Sequence, residues 1–368
     1  MKPRIVISGI GVVSPYGIGR EIFQQNICRG KSVIKKLSHL PYVGAGLALP
    51  STSHHKSLQM ALTAAQEAWN NSSIPANSQV ALCSSIGWHE KPEPQPLANG
   101  ENFLAGHFAI SGPKISNFSA CAASTMSIAN ACRLLANSET DFVLAGGADS
   151  RLHTLGTLGY SLLGALATGW DNQPERASRP FDRDRNGFVM GEGAAFFILE
   201  RREQAEQRGV KIHGEILAHA ANCDAYRLTD PNPDGETAAA CIRLALERAN
   251  LRPEQLDYIN AHGTGTPAND EAEVQALNKA LGNIAQQRPI SSCKSLFGHL
   301  SMASGAIEIA ASLLALRAGI LPPTLNCENP AWPDFDFVPL TPRKTDAKIF
   351  LKNSFGFGGQ NACLVVSL

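Results

Sequence analysis

Two stretches of this chain, 119–135 (SACAASTMSIANACRLL) and 298–316 (GHLSMASGAIEIAASLLAL), have helical length but small or apolar residues along both faces. A surface helix keeps a polar face, so helices of this kind must be packed closely by other elements. In each, an apolar strand leads through Ser or Gly into the helix. Around them, strand-like runs at 4–8, 80–86, 141–146 and 195–200 alternate with helical patterns at 57–70 and 121–136. A second series follows, with strands near 211–218, 257–261, 289–292, 348–353 and 362–367 and helices near 236–249, 270–280 and 300–318. The alternation predicts an α/β architecture with helices covering sheets. The two series share a layout, and 368 residues suit two units better than one small core. The boundary falls near residue 210, after the charged segment Glu200–Gly209, giving units 1–210 and 211–368. No low-complexity linker separates them, so they are expected to share one tight interface. The polar segment 88–102, with prolines at 92, 94 and 96, reads as a surface loop.

Composition narrows the function classes. Formal net charge is zero, which gives no electrostatic case for nucleic acid or an anionic membrane as main partner. No stretch approaches the roughly 18–20 apolar residues of a membrane span. The N-terminal run ends in Ser14, Pro15 and Gly17 without a small-residue cleavage site, so it reads as a first buried strand and not a signal peptide. Nine scattered cysteines form no CxxC pair, which suggests neither a zinc site nor a disulfide scaffold, and a reducing cytosol is the simplest compartment.

Four positions carry candidate chemistry. Cys121 opens a small-residue helix, where unpaired N–H groups and the helix dipole favour a thiolate. A lone helical Cys is also often a small, inert core residue. His262 lies in a Gly/Thr-rich turn between a strand and a helix that starts after Pro267; structural and catalytic roles are equally open to it. His299 sits between a strand and a helix, with Lys294 five residues before it and Glu308 nine after. The Lys and Glu could pair inside a site and orient the His, or form an ordinary surface salt bridge beside a capping His. In Asn353–Asn361 three glycines surround Phe357, a bend that either brings a backbone N–H to a reacting carbonyl or simply turns the chain.

Three further patterns are weaker. Gly9 and Gly11 follow a strand like a dinucleotide fingerprint, but Ser14 stands where the third glycine belongs. Asp182–Gly187 imitates the start of a calcium loop, yet position 193 is Gly. His54 and His55 read as an exposed pair.

In their order along the chain, SACAAS, NAHGTGTPANDEAE (260–273), KSLFGHLSMASGAIE (294–308) and NSFGFGGQN (353–361) resemble the active-site segments of elongating β-ketoacyl-acyl-carrier-protein synthases, the thiolase-fold condensing enzymes. SGIGVVSPYG (8–17) and RPFDRDRNGFVMGEGAA (179–195) resemble this family too, so the likeness covers nearly the whole chain. It implies a thiolase-like α-β-α-β-α sandwich of two similar halves. It implies that Cys121 takes an acyl group from acyl carrier protein, and that His262 and His299 hold the malonyl thioester carbonyl while CO2 leaves. Lys294 and Glu308 would support them electrostatically. Backbone N–H groups of Cys121 and Phe357 would form the oxyanion hole, with Gly356 and Gly358 shaping the bend and Phe357 gating it. Thr264, Thr266 and Phe355 would contact substrate. No cofactor or metal is implied, and the partner would be acyl carrier protein, with a homodimer or a heterodimer as the assembly. His at 299 differs from the Cys-His-Asn set of initiating synthases, and Cys363 lacks the CxG context of thiolases. The chain is short between Gly87 and Gly106, which bears on the acyl pocket and the dimer contact, and Gln360 stands where the family often has Thr. The shortened region keeps a second possibility in view, a chain-length-factor-like partner subunit, against which the intact Cys-His-His set argues.

Overall fold

The computed structural model describes residues 3–49, 55–87 and 99–368. Ten strands lie on one hydrogen-bonded path: β1 (Ile5–Ser14), β2 (Val80–Ile86), β3 (Lys114–Ser116), β4 (Phe142–Ser150), β5 (Met190–Arg201), β6 (Gly214–Cys223), β7 (Tyr258–Asn260), β8 (Ile290–Ser291), β9 (Ile349–Gly356) and β10 (Gln360–Ser367). Their order is β8-β7-β9-β10-β6-β1-β5-β4-β2-β3. Read outward from the middle, β1-β5-β4-β2-β3 and β6-β10-β9-β7-β8 repeat one pattern: two antiparallel pairings, then two parallel ones. The halves join where β1 pairs antiparallel with β6, Ile5 opposite Ile216 and Ile7 opposite Gly214.

The helices that matter here are α1 (Lys56–Ser72), α2 (Ala123–Ala136), α3 (Thr154–Leu162), α4 (Glu236–Ala249), α5 (Pro267–Leu281) and α6 (Ser304–Arg317). α1 covers the outside of the first half's strands; α4, backed by α5, covers the outside of the second's. α2 and α6 touch each other and pack against strands of both halves, which makes the fold the five-layered thiolase-like sandwich. Every residue of α6 from Ser304 to Leu316 is buried, as its lack of a polar face requires. The strands are covered on both sides, so they read as continuous apolar runs. In β5, Ala195, Phe197 and Leu199 face the central helices, while Ala194, Phe196 and Ile198 face α1.

Several elements differ from the sequence reading. β1 runs to Ser14 because Gly9 and Gly11 lie under α1, where a Cβ would land on the carbonyls of Ala68 and Ala64; these glycines serve helix–strand packing. The helix expected from 121 begins at Ala123, and the one expected from 300 begins at Ser304. Each is preceded by a single 3-10 turn, Ala120–Ala122 and Ser301–Ala303. Of the expected 88–102 loop, 88–98 lie outside the described residues and 99–102 open a helix, Asn99–His107. Asp182 is a structural tie: its carboxylate meets Arg179 (3.1 Å) and accepts from the N–H groups of Asp184 (2.9 Å) and Asn329 (2.8 Å). His55 caps α1, accepting from Leu58 N–H (3.4 Å), and His54 lies outside the described residues.

Candidate active site

Three turns converge between the halves. The 3-10 turn before α2 carries Cys121, the turn leaving β7 carries His262, and the segment before α6 carries His299. His299 is pinned by its backbone: its N–H donates to Val189 O (2.7 Å) and its carbonyl accepts from Gly191 N–H (2.9 Å). All three side chains are buried. Nε2 of His299 lies 3.1 Å from Cys121 Sγ. The two imidazoles stand nearly perpendicular, ring centroids 5.5 Å apart.

The hydrogen bonds fix both tautomers. Nδ1 of His299 accepts from the backbone N–H of Ser301 (3.0 Å). Nδ1 of His262 lies 3.3 Å from the Lys294 ammonium, which can only donate. Each neutral ring therefore carries its proton on Nε2, the atom turned into the site. Burial, then the Lys294 charge, hold both histidines well below the usual imidazole range, so both are neutral at physiological pH.

Lys294 and Glu308 do pair, at 2.6 Å, and with side chains only 1% exposed they are not a surface salt bridge. Lys294 also donates to His262 O (2.5 Å). Glu273, which the sequence reading passed over, accepts from the N–H groups of His262 (2.8 Å) and Gly263 (2.7 Å) and from the Asn353 amide (3.1 Å). One buried carboxylate thus ties the His262 turn to β9. Its signal was an acid in the helix that follows the turn, two turns in and facing back. Asp270 does the same for the rest of the loop, accepting from Phe181 N–H (2.8 Å) and Gly265 N–H (3.1 Å).

The turn between β9 and β10 supplies the remaining parts. A Cβ on Gly356 would come within 2.9 Å of Ser119 O and 3.1 Å of Cys121 N, so only glycine lets β9 lie against the Cys121 turn. Phe357 N–H donates toward Cys121 Sγ. Gly358 turns the hairpin at φ 80° and donates to Leu228 O (2.7 Å); it is not in the cavity wall. The cavity measures about 270 Å³, and Thr264, Thr266, Phe355, Gly356 and Phe357 line it together with the three central residues. Thr266 caps α5, and its hydroxyl pairs with that of Thr264 (2.8 Å).

One expectation changes. Burial pushes the Cys121 thiol up to about 12, against the pull of Lys294 and the Phe357 N–H. The helix N-terminus favours a thiolate, but the desolvation of a buried sulfur outweighs it. At neutral pH the residue is therefore a thiol, with two N–H donors, His299 Nε2 and Phe357 N, in place for negative charge on sulfur.

Chemically, the arrangement is an acyl acceptor facing two neutral N–H donors and a bend of backbone N–H groups, with the three central side chains buried, the requirements of thioester exchange and of stabilising an enolate. Known proteins agree. Residues 51–205 match the model of the beta-ketoacyl synthase N-terminal domain, and residues 213–328 that of the C-terminal domain. The 3-oxoacyl-[acyl-carrier-protein] synthase 2 of Coxiella burnetii is 37% identical over 100% of this chain and 99% of its own. That of Synechocystis is 35% identical over 99% and 97%. Among solved structures, a type II polyketide ketosynthase in complex with its acyl carrier protein and bound to the hexaketide superposes with TM-score 0.92 at 29% identity, covering 100% of both chains. The ishigamide ketosynthase/chain length factor gives 0.88 at 29%, covering 100% and 99%.

Proposed function

The chain belongs to the β-ketoacyl synthase family and is an elongating 3-oxoacyl-[acyl-carrier-protein] synthase, an acyltransferase; from that premise we propose that Cys121 is its acyl acceptor and His262 and His299 its decarboxylation donors. The Cys121 sulfur attacks the thioester carbonyl of an acyl carrier protein, and the carrier thiol leaves. The N–H groups of Cys121 and Phe357 hold the transient oxyanion. Malonyl-carrier protein then enters with its thioester carbonyl between the two Nε2–H groups. CO2 departs, the resulting enolate carbon attacks the acyl-Cys121 carbonyl, and the thiolate leaves with the 3-oxoacyl product on the carrier. Lys294 and Glu308 act as positioning residues, Thr264, Thr266 and Phe355 contact substrate, and Phe357, flanked by Gly356 and Gly358, gates the cavity.

The observation that carries this reading is the convergence of two neutral Nε2–H donors on one buried thiol. It also tells against a silent chain-length-factor-like subunit, which has no use for it. The partners are acyl carrier protein and a second synthase subunit, identical or paralogous, with the two halves of this chain meeting near residue 210. For compartment we infer the cytoplasm, a reducing environment that suits nine scattered free cysteines. Among the described residues no helix is long and apolar enough to cross a membrane. Purified chain mixed with acyl- and malonyl-carrier protein should yield 3-oxoacyl-carrier protein and CO2 in equal amounts. No product without a second synthase subunit, and product once one is added, would move the reading to the partner-subunit alternative.

A further inference from the structure

Lys352 lies in β9, and its side chain is fully buried. A solvent-free ammonium on a strand is costly and is found where charge compensates it. Its Nζ lies 2.6 Å from Oε2 of Glu308, whose Oε1 meets Lys294 at 2.6 Å, so one carboxylate is gripped by two ammonium groups. Lys352 also donates to the carbonyls of Ala261, the residue before His262 (3.4 Å), and Asn353. Asn353 in turn donates to Glu273, the carboxylate that holds the His262 backbone. Burial lowers the Lys352 ammonium and raises the Glu273 carboxyl, opposed at Lys352 by its contact with Glu308 and at Glu273 by its three N–H donors. With those contacts holding both charges, two cations, Lys294 and Lys352, face two anions, Glu308 and Glu273, behind the imidazoles.

We propose that Lys352 is a positioning residue of the condensation site: its ammonium grips Glu308 from the side opposite Lys294 and balances the second buried carboxylate, Glu273, behind His262. The proposal rests on the assignment of His262 and His299 above. Without Lys352 the network holds one uncompensated negative charge. That charge favours imidazolium, and a protonated Nδ1 cannot accept from Lys294 or Ser301, so both rings would lose the bonds that aim them. The Lys352 charge acts on both histidines in the direction that keeps them neutral, beside the larger effect of burial. The other titratable groups facing this network are Cys121, Cys293 and Cys363. All three thiols are held up by burial, so they stay uncharged while the histidines titrate.

Titration of the ¹⁵N-histidine-labelled protein by NMR reads the rings without requiring turnover, and CO2 release from malonyl-carrier protein against pH reads their use. In Lys352→Met the midpoints of His262 and His299 should rise by about one pH unit, and the acid limb of decarboxylation should rise with them. Glu273→Gln, which leaves one excess positive charge, should move both the other way. Lys352→Met/Glu273→Gln should return them to within a few tenths of a unit of the parent, and Lys352→Arg should leave them unmoved. If Lys352→Met does not fold, Glu273→Gln and the double variant carry the test. Unmoved midpoints in the folded variants, or the same shift in the double variant as in a single one, overturn the proposal. Midpoints that shift as stated while decarboxylation proves indifferent to them would instead overturn the assignment of the histidines.

Discussion

Ala120 and Ser301 occupy the same place in the two halves. Each is a non-glycine residue with positive φ, 46° and 47°, each opens a single 3-10 turn, and each turn runs into a 14-residue helix. The residue that follows is Cys121 in one half and Met302 in the other. Met302 has no reactive proton, and its backbone N–H is taken by Asp149 (3.2 Å). Six residues further on, the first helix has Ser127, whose hydroxyl donates to Ala123 O and accepts from the Asn117 amide, and the second has Glu308, the anion that Lys294 grips. A duplicated backbone thus presents one half's thiol to the other half's donors. Fold and chemistry are separable here: the repeat makes the crevice, and single side chains decide which half attacks and which stabilises.

The sharpest way to break that division is to remove the second half's donors. His299→Ala and His262→Ala should each lower malonyl-carrier decarboxylation by roughly 10²–10⁴-fold while changing acyl transfer to Cys121 by about tenfold or less. Decarboxylation and single-turnover acylation, measured separately, check this; equal loss of both counts against the division. Next in size is the seam. Gly356→Ala forces β9 away from the Cys121 turn and should cost about 10–100-fold in kcat/KM with the thermal midpoint little changed. An unaffected rate would remove Phe357 N–H from the oxyanion hole.

Acid tests the second half's buried imidazoles. Burial and the charges of Arg20, Arg317 and Lys211 bring His213 down to about 4, and His262 and His299 are also lowered. Below about pH 6.5 the unfolded chain binds protons that the folded chain refuses, so stability falls as pH drops, by up to about 1.4 kcal/mol per pH unit for each such histidine. NMR titration of the three rings beside urea unfolding between pH 7 and 5 separates it from the opposing contribution of Glu101, Glu200, Asp270 and Glu273, whose carboxyls burial raises; rings that titrate near 6.5 in the fold would contradict it. The smallest effect probes the repeat itself. Ala120→Gly and Ser301→Gly should each stabilise by about 0.5 kcal/mol, because relief of the left-handed strain slightly exceeds the entropy that glycine adds to the unfolded chain. Opposite signs at the two positions would show that the turns are not equivalent.

The layered α/β fold was legible because both central helices lack a polar face and the strands are long apolar runs. Cys121, His262, His299, Lys294 and Glu308 were legible as residues, but which of them meet was not, since the contacts span up to 178 positions. The groups that hold them were harder to see. Glu273 reads as an ordinary acid of a helix, and Lys352 interrupts an apolar strand without stating what it faces. The strain at Ala120 and Ser301 leaves no trace in residue type, since neither is the glycine that such a backbone usually selects. The resting state of Cys121 turned on burial, a property of the assembled layers and not of the local helix start.

The most direct test is the intact mass of the chain after exposure to acyl-carrier protein. The parent protein and His299→Ala should each gain one acyl group, and Cys121→Ala none. An adduct that persists in Cys121→Ala would contradict the claim that the first half's cysteine is the acyl acceptor.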